Sequence, residues 1–242
     1  MGDDMKLMKG RIRFDASAGR VRYPLLGTTL DLGRTKGEVL ISPQWVVVDK
    51  MMGTIWDGTF TGRVLAQIDD GDALNGSFVL QDMNLTSIGK SYDKKMEKAT
   101  VHGAIEFSSK GGNMNSIQAK GEAALVHGDL VEIPLFGFLG EALSNYIPGL
   151  GHLINYKISR ADCDFSIEKG YVRTSNFAAQ GSNMSLEGGG WIRLSDLQVN
   201  SDFKLGLRGF PGFITSPVFL LAGGLFQVRG TGPLSNVSWS FA

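Results

Sequence analysis

Three histidines, one cysteine and a short acidic run are the residues whose types could do chemistry, and their spacing assembles none of it. His102, His127 and His152 lie far apart. No two share the spacing of zinc ligands, and the flanking residues form no motif. His102 and His127 are expected beside strand turns, facing solvent. Cys163 sits between Asp162 and Asp164, on the alternating phase of Ala161 and Phe165. That placement suits a small buried apolar side chain better than a nucleophile, since neighbouring carboxylates disfavour a thiolate. Asp69, Asp70 and Asp72, in IDDGDAL, lack the following Glu that a calcium loop needs and read as a solvated hairpin turn. Gly188, Gly189 and Gly190 have no Lys beside them and no helix after them, so they are expected as a turn or bulge between strands rather than a phosphate cradle. Neither a catalytic constellation nor a metal or cofactor site emerges, and the chain reads as a non-enzyme.

The elements that would position such residues point the same way. With 242 residues there is room for one large all-β domain or two small ones. The 24 basic and 24 acidic residues cancel without a long run of either sign, so no footprint for nucleic acid exists. A lone cysteine cannot form an internal disulfide, which leaves the redox compartment undecided. The opening MGDDMKLMKGRIRF has no apolar core of a secretory signal, as expected of a cytosolic protein or an excised piece. The uncharged stretch from Gly209 to Val228 approaches bilayer length, but its two prolines and four glycines favour a short helix near Ser216 to Ala222 over a span.

Apolar residues mostly recur at every second position, which is the arithmetic of half-buried strands. Ile12, Phe14, Val21 and Tyr23 flank an expected turn at Ala16 to Gly19. Further strands follow around Phe60 to Ile68, Leu74 to Leu80, Val101 to Phe107, Ile117 to Leu125, Cys163 to Ile167, Met184 to Leu194 and Phe203 to Leu207. The expected fold is mainly β: a curved, mostly antiparallel sheet of roughly a dozen strands, an open barrel or taco-like groove, with one or two amphipathic helices. Met83 to Met96 breaks the alternation as a short surface helix or turn. Pro134 to Ile154 changes to helical spacing, with Leu135, Phe138, Leu139, Leu143, Ile147 and Leu150 on one side. That helix would serve as fixed core cover or as a movable lid; membrane docking is the weakest reading, because its polar side lacks Lys and Arg. An echo links Gly10 to Gly27 with Gly121 to Gly137, both running strand, turn, strand and Pro-Leu-X-Gly.

Four glycine-punctuated segments, in this order, carry a family resemblance. They are GTIWDGTFTGRVLAQIDDGDALNGSFVLQDMNL from Gly53 to Leu85, the block from Gly121 to Ile154 with its Pro-Leu step before a helix, DFSIEKGYVRTSNFAAQGSNMSLEGGG within Ala161 to Gly190, and VRGTGPLSNVSWSF from Val228 to Phe241. Together they resemble the C-terminal region of AsmA-like proteins, whose relatives include TamB. Ala119 stands where the family has the first glycine of a pair, and Val237 where a proline often follows.

The resemblance implies an AsmA-like β-groove domain over 53–242, with 1–52 continuing the sheet or belonging to a preceding repeat. It implies a periplasmic segment of a longer envelope protein, anchored in the inner membrane outside this segment. The expected function is to shield phospholipid or another acyl-chain lipid, contributing to lipid transport or homeostasis between inner and outer membrane, with other envelope proteins as possible partners. The groove candidates are Phe60, Val64, Ile68, Leu74, Phe78, Leu80, Val101, Ile105, Phe107, Ile117, Leu125, Phe165, Ile167, Leu186 and Ile192. Burying each methylene of an acyl chain is worth ~0.8 kcal/mol, so such a face would hold lipid without specific polar contacts. The same alternation also fits an ordinary self-filled β core, and a scaffold or interaction module in an envelope complex is the rival expectation.

Overall fold

The computed structural model describes residues 10–23, 28–68, 73–91, 98–111, 114–126, 131–132, 157–182, 184–207, 225–234 and 236–241. The chain is mainly β. Its strands are β1 (Gly10–Ala16), β2 (Gly19–Tyr23), β3 (Thr28–Ile41), β4 (Trp45–Ile55), β5 (Gly58–Gln67), β6 (Leu74–Asn84), β7 (Thr100–Ser109), β8 (Gln118–Val126) and β9 (Val131–Glu132). After these come β10 (Lys157–Glu168), β11 (Tyr171–Gly181), β12 (Met184–Arg193), β13 (Gln198–Leu207), β14 (Leu225–Pro233) and β15 (Ser238–Phe241). One α-helix, α1 (Leu85–Ser91), and a 3-10 turn at Met114–Ser116 are the helical elements among the described residues. The strands form one 15-stranded sheet in the order β1-β3-β4-β5-β6-β7-β8-β10-β11-β12-β13-β14-β15, with β2 on β3 and β9 on β10. Among the described residues the order runs from β1 to β15, and the registers are antiparallel, as the alternating pattern requires. The expected helix of Leu135, Phe138, Leu139, Leu143, Ile147 and Leu150, and the one near Ser216 to Ala222, lie outside the described residues.

Contacts divide the chain into two compact units: Met1–Met96 with Thr100–Ala123 and Ser166–Gly170, and Glu97–Ala99 with Ala124–Phe165 and Tyr171–Ala242. In the first unit, residues directly opposite across strands fix the two faces. One is apolar throughout its centre: Val39, Val48, Val64 and Gly76 align across β3 to β6, and Phe78 and Ile105 align across β6 and β7. The other carries the charges, with Arg13 opposite Glu38 and Ser77 opposite Glu106. Register shifts between Leu32 and Thr35, Lys36 and Glu38, Val48 and Met51, and Leu80 and Met83 mark bulges that bend this sheet.

Two local expectations are corrected. Ile12–Phe14 and Val21–Tyr23 do not form a hairpin with each other. β1 pairs with Thr35–Ile41 of β3, and β2 pairs with Thr28–Leu32 of the same strand, in one continuous register. They are two lengths of one broken strand, interrupted at Ser17 and Ala18 opposite Gly33 and Arg34, where continuous β3 shifts its register against β4. Gly188, Gly189 and Gly190 stand inside β12 rather than between strands. The bulge of β11 between Thr174 and Phe177 brings Ser175 Cα to within 2.7 Å of where a Gly189 Cβ would stand, so a side chain would collide with backbone.

The second unit has its own one-sided core. Leu186 lies between Ala179 and Leu205, and Ile192 between Val172 and Val199. Ile158, Met184, Leu186, Leu205 and Val228 are fully buried. The Phe203 ring meets Phe177 edge-on at 5.5 Å and Trp239 at 6.1 Å.

Candidate functional site: the apolar face of the first unit

Eight sequence-derived candidates belong to the strands of one sheet region. Phe60 stands opposite Leu80, Val64 opposite Gly76, and Phe78 opposite Ile105, while Leu74, Val101 and Phe107 share their side by register. Ile68 lies just past β5 and is 54 % exposed. Val46, Val48, Val39 and Ile41 extend the same apolar side onto β4 and β3 and were absent from the candidate set. Their Val-rich runs, VLI and WVVV, were the available signal.

The floor of this face has a construction of its own. Phe60, Phe78 and Phe107 stand on three successive strands, each directly opposite a glycine: Gly53, Gly62 and Gly76. A Cβ on these glycines would lie 2.8, 2.7 and 2.6 Å from a carbon of the facing ring. The rings therefore lie down on the backbone of the neighbouring strand instead of standing up from the sheet. Phe78 and Phe107 are parallel at 6.1 Å, and Phe60 tilts against Phe78 at 6.4 Å. Phe14 covers Gly37 in the same way, as do Phe203 on Gly188 and Trp239 on Gly230 in the second unit. Val64, Leu74, Phe78, Ile105 and Phe107 are only half-buried, so part of this apolar side meets water.

One end of the face is closed. Ile55, Phe60 and Met83 form a buried cluster against which Trp56, Leu80, Val101 and Ile88 of α1 pack. Asn84 caps α1, its Oδ1 accepting the Thr86 N–H at 2.9 Å. Trp56 and Asp57 make the two-residue turn between β4 and β5, both with positive φ, of 49° and 60°. Neither is glycine, and three bonds hold the strained pair: Trp56 O accepts from Asn84 N–H at 2.8 Å, Trp56 Nε1 donates to Ser91 Oγ at 3.0 Å, and Ser87 Oγ donates to Asp57.

No family model, curated protein or solved structure matches the chain. The site therefore rests on its own geometry.

The opposite side of the sheet carries the charges around an apolar row of its own, Leu40, Val47 and Leu65, of which Leu40 and Val47 are buried. Glu38, only 8 % exposed, accepts from Arg13 Nε at 2.9 Å and has Arg11 at 3.8 Å. Those contacts hold its carboxyl below the usual range, the Arg13 hydrogen bond first. Asp15 is lowered by Arg34, whose Nη2 donates at 2.7 Å. Two open hollows lie over this polar side, of about 510 Å³ beside Glu106, Gln118, Lys120 and Glu168, and of about 320 Å³ beside Arg63, Asn75 and Ser77. Ile167 touches the larger one.

The remaining candidates are dispersed. Ile117 precedes β8, and Leu125 and Phe165 belong to strands of the second unit. Leu186 is fully buried, whereas Ile192 is half-buried. His102 lies within β7 rather than at a turn, its Nδ1 accepting the Asp82 N–H of the β6 bulge at 3.3 Å. Cys163 is half-buried in β10, and His127, His152 and the acidic run Asp69, Asp70 and Asp72 lie outside the described residues. Among the described residues no group of three or more His, Cys, Asp and Glu comes together, and no helix is long and apolar enough to cross a membrane.

Proposed function

We propose that the chain is a lipid-shielding segment of an AsmA-like envelope protein, acting in the periplasm without catalysis and contributing to phospholipid transport or homeostasis between inner and outer membrane. The observation that carries this reading is the half-buried apolar face of the first unit, floored by rings laid flat on glycines and closed at one end by α1. An acyl chain resting along Val48, Val64, Phe78 and Ile105 would lose contact with water, at ~0.8 kcal/mol per methylene. Selectivity would be low, because the polar groups of the sheet are on the other side.

A scaffold with a self-filled core is the second reading, and the second unit favours it: among the described residues, five of the six largest fully buried side chains, Ile158, Met184, Leu186, Leu205 and Val228, are there. Native mass spectrometry with lipid extraction, on protein purified without detergent, separates the two. Bound phospholipid that is lost in folded Phe78→Glu and Ile105→Glu variants supports the groove. Lipid-free wild-type protein, with variants that only lose stability, rejects it in favour of the scaffold.

A further inference from the structure

The outer edge of β1 lies apart from the floor formed by Phe60, Phe78 and Phe107 on β5, β6 and β7. β1 ends the strand order, and among the described residues no strand pairs with its outer side. Its seven residues keep an unbroken register against β3, with no proline or bulge to blunt the edge. Arg11, Ile12, Arg13, Asp15 and Ala16 are exposed, Ile12 at 55 %. Soluble proteins protect such edges, and an unprotected one is a template for another strand. The pattern along β1 selects which strand fits. Arg11, Arg13 and Asp15 share the polar side; Gly10, Ile12, Phe14 and Ala16 share the apolar one.

We propose that the occupant is a second copy of this chain, its β1 running antiparallel to the first about a two-fold axis at Phe14. A one-residue slip would set arginines against the apolar side, so only registers centred on a residue keep the faces matched. Centring on Arg11, Arg13 or Asp15 places that charge against itself. Centring on Ile12 places Arg11 against Arg13 twice. Centring on Phe14 places Arg13 opposite Asp15 twice, Ile12 opposite Ala16 twice and the two Phe14 rings together, with no like charges directly opposed. The side chains are already oriented for it. Arg13 is held by Glu38, and Asp15 by the Nε and Nη2 of Arg34 at 3.0 and 2.7 Å. Joining the edges gives a row of alternating sign, Glu38, Arg13, Asp15 of the second copy and its Arg34. A two-fold normal to the sheet also leaves both apolar sides facing the same way.

Sedimentation equilibrium of the full chain should give twice the 26.1 kDa mass. In a Cys163→Ser background, oxidation should cross-link Phe14→Cys, because directly opposed antiparallel residues have Cα atoms about 4.5–5.5 Å apart, within disulfide reach. Ile12→Cys and Arg13→Cys report the competing registers and should stay monomeric on a denaturing gel. Asp15→Arg should weaken the dimer about tenfold, with the fold of the monomer checked by circular dichroism and its unfolding midpoint. This charge reversal decides the matter even if Phe14→Cys fails to fold. A wild type that stays at 26.1 kDa, cross-linking at position 12 or 13 in place of 14, or a dimer indifferent to Asp15→Arg would each overturn the proposal.

Discussion

The ring of Phe78 lies across Gly62, its direct partner on the neighbouring strand, so that a Cβ at Gly62 would stand 2.7 Å from the ring Cε1 and 2.8 Å from the Ser77 carbonyl oxygen. The ring could swing away; the carbonyl belongs to a paired strand and cannot. Gly62→Ala should therefore destabilise the first unit by about 1–3 kcal/mol, despite the better β propensity of alanine. Chemical denaturation measures this, and an unchanged midpoint would mean that the Ser77 carbonyl leaves room for a side chain at position 62.

The closed end of the face depends on α1, a helix of seven residues that is too short to persist without its anchors. Asn84→Ala removes the cap and should cost about 1 kcal/mol; Trp56→Phe removes the bond to Ser91 and should cost about 0.5–1.5 kcal/mol. Hydrogen exchange resolved along the chain should report both losses at Leu85–Ser91 before the strands open. Uniform loss of protection would show instead that α1 and the sheet open as one.

Acid should weaken the polar side of the first unit. Glu38 is lowered by Arg13 and Asp15 by Arg34, so each carboxyl has a folded-state pKa below its unfolded value. Their contribution to stability is complete above the unfolded range, about 4, and is lost as pH falls through the folded values. The urea midpoint should hold between neutral pH and about 5 and decline below it, more shallowly in Glu38→Gln. A Glu38→Gln profile that overlays the wild type would remove Glu38 from the cause.

Leu186 and Ile105 separate packing from surface function. Leu186 is fully buried in the second unit, and Leu186→Ala should cost about 3–5 kcal/mol, shown by a lower unfolding midpoint. Ile105 is half-buried, so Ile105→Ala should cost less than half of that while reducing any lipid carried by the native protein. Equal destabilisation by the two would make Ile105 ordinary core.

Strand content and the one-sided face were legible because two-residue alternation reports directly which side of a sheet a residue takes. Phe60, Val64, Phe78 and Ile105 belong together on that argument alone. Order in space was less accessible. The shift from even positions at Ile12 and Phe14 to odd positions at Val21 and Tyr23 looks like a turn, yet it falls opposite a register shift between β3 and β4, which no local signal distinguishes. The glycine triplet was misplaced for a related reason: its neighbours come from the β11 bulge and from β13, both distant in sequence. The ring-on-glycine pairs could have been found by setting the β5–β6 hairpin in register, since Phe78 then falls opposite Gly62. The polar hollows and the bonds from α1 to the Trp56–Asp57 turn depend on three-dimensional approach and left no trace in spacing.

Recessing aromatic rings into glycine sites also sets the roughness of the surface. A ring that stands upright is a post, and a row of posts offers a flexible chain separate resting places with steps between them. Rings laid into the backbone at Gly53, Gly62 and Gly76 reduce that corrugation. An extended hydrocarbon laid on this floor, as the proposed function requires, would meet smaller steps along its length than on a row of upright rings.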